Sequence, residues 1–171
     1  MKQLIFATLA CVTAVAAPSY DQSGALATER MAITSEFAAA QTALRNAKTA
    51  TETDAVQQKL VDIVDRSHAL RDKTIKANDN LIGILSGQMA YPFRGANDPS
   101  ATIKATYLKL VQINAGLKSA AVTATAPYQP KDINELQKLL DRVKTAIDEQ
   151  RHAAQNIETR LNELHFYRPA R

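Results

Sequence analysis

Histidine and methionine are the residues of this chain that could bind a metal or a haem iron. The histidines are His68, His152 and His165, and neither a Cys-x-x-Cys-His nor a Glu-x-x-His pattern accompanies them. A helical bundle could hold a b-type haem between Met31 and His165, but Met31 falls beside the apolar seam of its helix. The sequence therefore predicts no metal and no cofactor. Haem or small-ligand binding in a bundle core is kept as an alternative.

Paired carboxylates are the next group with chemical potential, since two such groups can divide general acid and base work. The pairs Asp62 with Asp65 and Asp148 with Glu149 lie outside the apolar positions and alternate with Lys and Arg. This pattern is typical of solvated helix faces. The chain has neither a Gly-x-Ser-x-Gly elbow nor a Gly-rich phosphate loop. We therefore predict that the protein is not an enzyme.

Three polar residues interrupt otherwise apolar helical seams. Counted from one end of a bundle, Asn114 and Gln150 each lie about 15 residues in, and Ser67 lies about 19 residues in. We expect them to form one buried polar layer that sets the register of the helices. A small internal binding site is the functional alternative.

Apolar residues at heptad spacing predict four helices. The longest seam advances by alternating steps of three and four through Ile133, Leu136, Leu140, Val143, Ile147, Gln150, Ala154, Ile157, Leu161 and Leu164. The helices are predicted over about 24–49, 54–86, 99–126 and 132–165. The third contains Lys104, Lys109 and Lys118 but no acidic residue. The fold class is all-α, an elongated antiparallel bundle in up-down-up-down order.

The links between helices are marked by capping and helix-breaking residues. The run 51–54, Thr-Glu-Thr-Asp, predicts a turn between the first two helices. One continuous helix, which would give a three-helix bundle, is the alternative because the run has no Gly or Pro. Pro92 and Gly95 break the segment 87–98, and Asp132 with Glu135 resembles a capping box.

The first 16 residues have the pattern of a signal peptide. Lys2 precedes a mostly apolar run over 4–15, and Ala14 and Ala16 are the small residues that a signal peptidase reads. The only cysteine, Cys11, lies in this segment. We expect residues 17–171 to be a single mature domain without an integral membrane segment. The predicted localisation is periplasmic or secreted.

The composition suits a helical protein with a packed core. The chain has 171 residues, of which 46% are hydrophobic and 22% charged, with only 5 glycines. The formal net charge of +4 is spread along the chain without a Lys/Arg-rich run. Nucleic acid is therefore not an expected partner.

An exported helical chain of this size with an apolar mid-chain loop resembles the minor pilus-tip subunits of type IV secretion systems. The resemblance rests on architecture and the signal peptide, and it implies no site residues. It suggests an accessory subunit of a secretion or conjugation system as an alternative function. Exported helical bundles of fungi fit the same description.

The function we expect is non-enzymatic contact with a protein partner in the cell envelope or outside the cell, as a homo- or hetero-oligomer. The start of the first helix with Tyr20, the loop 87–98 and the end of the fourth helix should meet at one bundle end. The predicted partner-binding residues there are Tyr91, Phe93, Arg94, Phe166, Tyr167 and Arg168. Tyr, Phe and Arg are enriched at interface cores. Alternatively, these aromatic residues only plug the end of the bundle.

Overall fold

The computed structural model describes residues 20–90, 99–123 and 129–166, with side chains described as far as residue 162. This part of the chain forms four helices and no strand: α1 (Ser23–Asn46), α2 (Ala50–Met89), α3 (Ser100–Lys118) and α4 (Pro130–Phe166). The predicted all-α bundle is confirmed. The predicted signal peptide lies outside the described residues. Within the described ranges, no helix has an apolar stretch long enough to cross a membrane.

The first two helices are separate. A capping box starts α2, in which the Thr49 hydroxyl accepts from the Glu52 N–H at 3.2 Å and the Glu52 carboxylate accepts from the Thr49 N–H at 3.1 Å. The single continuous helix is therefore wrong. The cap lies at Thr49 and not within 51–54, because Thr49 has the extended backbone of an N-cap while 51–54 are already helical.

Contacts between side chains fix the directions of the helices. Glu36 pairs with Arg66 and Glu29 pairs with Lys73, so α1 runs antiparallel to α2. The bonds Gln150 to Asn78 and Arg160 to the Gln88 carbonyl both join residues 72 positions apart, so α2 and α4 are parallel.

The short helices α1 and α3 lie on opposite sides of a central pair formed by α2 and α4. Each short helix packs against both central helices, and α1 and α3 do not contact each other. The central pair therefore forms the short diagonal of the bundle.

The short helices are also staggered along the axis. Ser23, at the start of α1, accepts a hydrogen bond from Arg151 at 3.3 Å, whereas α4 continues to Phe166, roughly 22 Å farther on. Closer to the carboxyl end of α4, Asn156 donates to the Thr106 hydroxyl, near the start of α3, at 3.1 Å. The expectation that α1 starts at the tip is wrong, and Tyr20, just before α1, packs against the second hydrophobic core, which includes Leu81 and Ala153.

The seams form two hydrophobic cores. The first core is the larger and includes Ile33, Phe37, Leu60, Leu70, Leu117, Leu136, Leu140 and Ile147. The second core consists of Leu81, Leu85, Ile103, Leu110, Ala153 and Ile157. Between them lie the seam's polar residues, so the interior is divided along its length.

The third helix ends at Lys118, earlier than the predicted 126. Arg71 donates to the Ala120 carbonyl at 2.7 Å, and this carbonyl would otherwise accept from residue 124 of a longer helix. In the non-helical segment that follows, Ala120 and Val122 are buried in the first core while Ala121 and Thr123 are exposed. This segment covers the first core where α3 no longer reaches it.

The fourth helix begins at Pro130. Proline is suited to this first position, because the N–H that it lacks would have no acceptor within the helix. Asp132 stands at its third position and accepts from the Gln129 N–H at 2.9 Å. The carboxylate therefore reaches back to the preceding residue, as the acidic half of a capping box does.

Candidate functional site

The predicted tip surface falls almost entirely outside the described residues. This applies to Tyr91, Phe93, Arg94, Tyr167 and Arg168. Phe166 is the last residue of α4, and its side chain is likewise outside the description. The tip surface therefore stays a prediction.

The polar layer exists, and it contains a residue that the sequence analysis missed. The Asn78 amide nitrogen donates to the Asn114 side-chain oxygen at 3.1 Å, and Gln150 donates to the Asn78 side-chain oxygen at 3.3 Å. All three side chains are buried. Ser67 is buried but donates to the Ile63 carbonyl of its own helix at 2.7 Å, so it does not belong to the layer.

The layer joins three helices at the boundary between the two cores. Asn114 also donates to the Ile75 carbonyl at 3.2 Å and to the Asp79 carboxylate at 2.9 Å. The Gln150 carbonyl oxygen is buried without a hydrogen-bond donor among the described residues. Sliding any of the three helices would leave buried amides without partners, so the layer specifies the register.

The haem alternative loses its methionine ligand. The Met31 side chain is 57% exposed on the outward side of α1, so it cannot reach an iron inside the bundle. The His165 side chain lies outside the described residues. Within the described residues, no three side chains of metal-binding type are grouped.

Three of the four paired carboxylates, Asp62, Asp148 and Glu149, lie within ion-pair distance of a Lys or Arg. Lys144 donates to Asp148 at 2.8 Å and thereby lowers the pKa of that carboxyl, while Glu149 pairs with Lys109. Arg66 lies 3.5 Å from Asp62. These contacts are those of charged helix faces, as the sequence predicts.

The outward side of α3 has the composition of a contact surface. Its outer face consists of exposed residues at steps of four and three: Ala101, Ala105, Leu108, Gln112 and Ala115. Leu108 is 54% exposed, and Val111 beside it is 40% exposed. Apolar side chains at this spacing on an exposed helix are typical of a face that packs against another helix.

A groove of about 490 Å³ runs between the outer face and α4. Ile113 and Leu117 provide its apolar lining, Gly116 leaves it open, and Lys109 and Arg142 supply positive charge. No carboxylate is among its lining residues, which all belong to the described part of the chain. The groove therefore suits an apolar group with an acidic neighbour.

The exposed sides of the other helices differ from that of α3. The central helices expose charges at short intervals, such as Lys59, Asp62 and Asp65 on α2. On α1 the exposed positions from 24 to 43 are all small or uncharged: Gly24, Ala25, Thr28, Met31, Ala32, Ser35, Ala38, Ala39, Thr42 and Ala43. Of the four large apolar residues exposed in the described part of the chain, α3 alone has two, Leu108 and Val111, while Met31 lies on α1 and Met89 on α2.

The outer face was not among the predicted site residues, although the sequence carries a signal for it. Leu108 and Val111 lie off the inward seam of a helix that has lysines but no acids. No protein-family model matches the chain, and neither a curated protein nor a solved structure matches it significantly.

Proposed function

We propose that the protein is an exported, non-enzymatic helical bundle that acts by contacting another protein in the cell envelope or outside the cell. The contact surface is the outer face of α3 together with the adjoining groove. The observation that carries the proposal is the exposure of Leu108 and Val111 on one side of a single helix.

The energetics favour a helical segment as the element that covers this face. Full burial of a Leu or Val side chain contributes about 1.5–3 kcal/mol. Ala101, Ala105 and Ala115 surround Leu108 with small side chains, so a second helix could approach the backbone of α3 closely. A few such apolar contacts are enough to anchor an interface whose rim is polar.

Export is proposed from the pattern of Lys2, the apolar run 4–15 and the small residues Ala14 and Ala16. N-terminal sequencing of the exported protein should begin at Ala17 or Pro18. A mature protein that begins at a lipid-modified Cys11 would contradict this cleavage.

The contact surface is tested by placing a photo-crosslinking amino acid at position 108 in the intact chain in its native compartment. The matched control carries the same residue at Gln58, an exposed position on α2 far from α3. We expect a discrete cross-linked product from position 108 and none from position 58. Equal products from both positions, or none from position 108 of the folded protein, would contradict the proposed surface.

A third probe at Tyr91 distinguishes the face of α3 from the predicted tip. A cross-link at position 91 without one at position 108 would transfer the contact to the tip. A secretion or pilus component identified in the product would then support the accessory-subunit alternative.

A further inference from the structure

We infer that the partner presents an acidic amphipathic helix, which lies along the outer face of α3 and places a carboxylate against Arg142. This inference rests on the proposed function and specifies the chemistry of the partner.

The charge of the groove is supplied mainly by Arg142. Lys109 is already paired with Glu149, and Lys118 lies 3.6 Å from Asp79. Arg142 donates only to the Gly116 carbonyl, at 3.5 Å, and no described carboxylate lies within ion-pair distance of it. An acidic side chain from outside would therefore find a guanidinium that can bind it through two hydrogen bonds.

The neighbouring groove extends the positive region along α4. It shares Arg142 and is also lined by Lys138 and Glu135, of which Glu135 lies 3.7 Å from Lys131. Lys138 and Arg142 are both exposed, and both line this second groove. A partner with several acids on one flank matches this arrangement, whereas a basic partner is repelled.

Gly116 is not required by the packing of this chain. A Cβ atom added to it would meet no other atom within 4 Å. Gly24, Gly83 and Gly87 are equally free of neighbours, so the case for Gly116 rests on its position in the lining of the groove. At the mouth of the groove, it allows the backbone of a second chain to approach Arg142.

The outer face has the length of a short docking helix. From Ala101 to Ala115 it advances by heptad steps and extends about 21 Å. A partner helix of about 15 residues with leucines at matching positions would cover it. A second copy of α3 is disfavoured in this place, because α3 has no carboxylate that could bind Arg142.

The test uses the purified mature chain and a synthetic, side-chain-stapled helical peptide of about 15 residues, with leucines on one face and glutamates on its flanks. A second peptide has glutamine in place of each glutamate. Fluorescence anisotropy should detect binding of the glutamate peptide, and the glutamine peptide should bind about tenfold more weakly. Added salt should weaken the binding of the glutamate peptide only.

Variants of the chain separate charge from shape. Arg142→Gln should lower the affinity for the glutamate peptide about two- to fivefold and leave the affinity for the glutamine peptide unchanged. Lys59→Gln removes an equal charge elsewhere on the surface and should not change the affinity for either peptide. Gly116→Ala should melt at a higher temperature and yet bind about fivefold more weakly or worse, a combination that loss of folding cannot produce.

The photo-cross-link from position 108 and the variant Leu108→Ser together distinguish the failure of this inference from the failure of the proposed function. Equal affinity for the two peptides, no binding of either, or no effect of Arg142→Gln would overturn the acidic helix. If the probe at position 108 still cross-links to the native partner, the surface of α3 survives that result. Unchanged glutamate-peptide binding by Leu108→Ser would overturn both. Self-association of the chain through α3 in sedimentation velocity would instead assign the face to a second copy.

Discussion

The helices α1 and α3 pack on opposite sides of the central pair, yet they distribute their apolar residues differently. On α1 the large apolar residues Leu26, Ile33 and Phe37 are buried, and the exposed positions from 24 to 43 are uncharged and, apart from Met31, small. On α3 the residues Ile103 and Leu110 are buried while Leu108 and Val111 are exposed. A helix that is apolar on two sides has more apolar surface than its own core can cover. The comparison therefore separates a helix that completes the fold from one that also faces outward.

The largest effect should come from the first core. Leu140 and Leu110 are both fully buried, but Leu140 belongs to the larger core. Leu140→Ala should lower the free energy of unfolding by about 2–5 kcal/mol, and Leu110→Ala should have the smaller effect within that range. Chemical denaturation of both variants provides the measurement.

The exposed residues Lys144 and Lys109 serve as controls for these core variants. Their replacement by Ala should change the free energy of unfolding by less than about 0.5 kcal/mol. Equal effects from the leucine and lysine sets would mean that the helical faces are misassigned. A larger loss in Leu110→Ala than in Leu140→Ala would reverse the order of the two cores.

The next effect concerns the amide layer that separates the cores. Replacing Asn114 and Gln150 by Leu would leave both groups of the buried Asn78 amide without partners. We expect the free energy of unfolding to fall by about 1–3 kcal/mol in this double variant. Adding Asn78→Leu should restore most of the loss, because no unpaired amide then remains. A stabilised double variant would show that the three amides do not act as a unit.

The cap between α1 and α2 should have an intermediate effect. Thr49→Ala removes the acceptor for the Glu52 N–H and should lower the free energy of unfolding by about 1 kcal/mol. Hydrogen exchange should quicken at the first turn of α2 and remain unchanged in α3. Thr51→Ala, in an exposed helical position nearby, is the matched control. Equal losses in the two variants would argue against the cap.

The smallest effect is a pH dependence on the α1 side. Arg66 donates to both oxygens of Glu36, at 2.6 and 3.0 Å, and thereby lowers the pKa of Glu36 below its ordinary 4.5. The unfolded state then binds a proton more readily, so the stabilisation is present above 4.5 and is lost as pH falls through the folded-state pKa.

The variant Glu36→Gln tests this dependence. It should be less stable than the parent protein near neutral pH, and the difference should shrink on acidification. Denaturation curves at several pH values measure the difference between the two proteins. A difference that stays constant down to about pH 3 would exclude the pair as its source.

The sequence predicts the interior of this bundle well, because heptad spacing reports directly which side of each helix is buried. The seam from Leu136 to Ile157 is buried at every position, including Gln150 and Ala154. Asn78 was missed because it lies next to the seam residue Ala77. A heptad seam predicts one buried residue per step, but α2 contacts three other helices and therefore buries both Ala77 and Asn78.

Other features depend on tertiary contacts that no local pattern contains. The end of α3 at Lys118 follows from the bond of Arg71 to Ala120, which are 49 residues apart. The stagger of α1 follows from its register with Arg66 and Lys73. The outer face could be seen in the sequence only as Leu108 and Val111 off the seam, and their exposure decides their role.

The parallel arrangement of α2 and α4 has a consequence for the order in which the chain folds. The α1–α2 hairpin needs contacts only about 30 to 44 residues apart, such as Glu36 with Arg66 and Glu29 with Lys73. The contacts of α4 with α2 span 72 residues, and its contact with Ser23 spans 128. Long loops close more slowly, so the hairpin can form early while α4 docks last. Until α4 docks, the apolar sides of the three preceding helices remain exposed to water. During synthesis from the amino end, neither core can be completed until α4, which contributes residues to both, has been made.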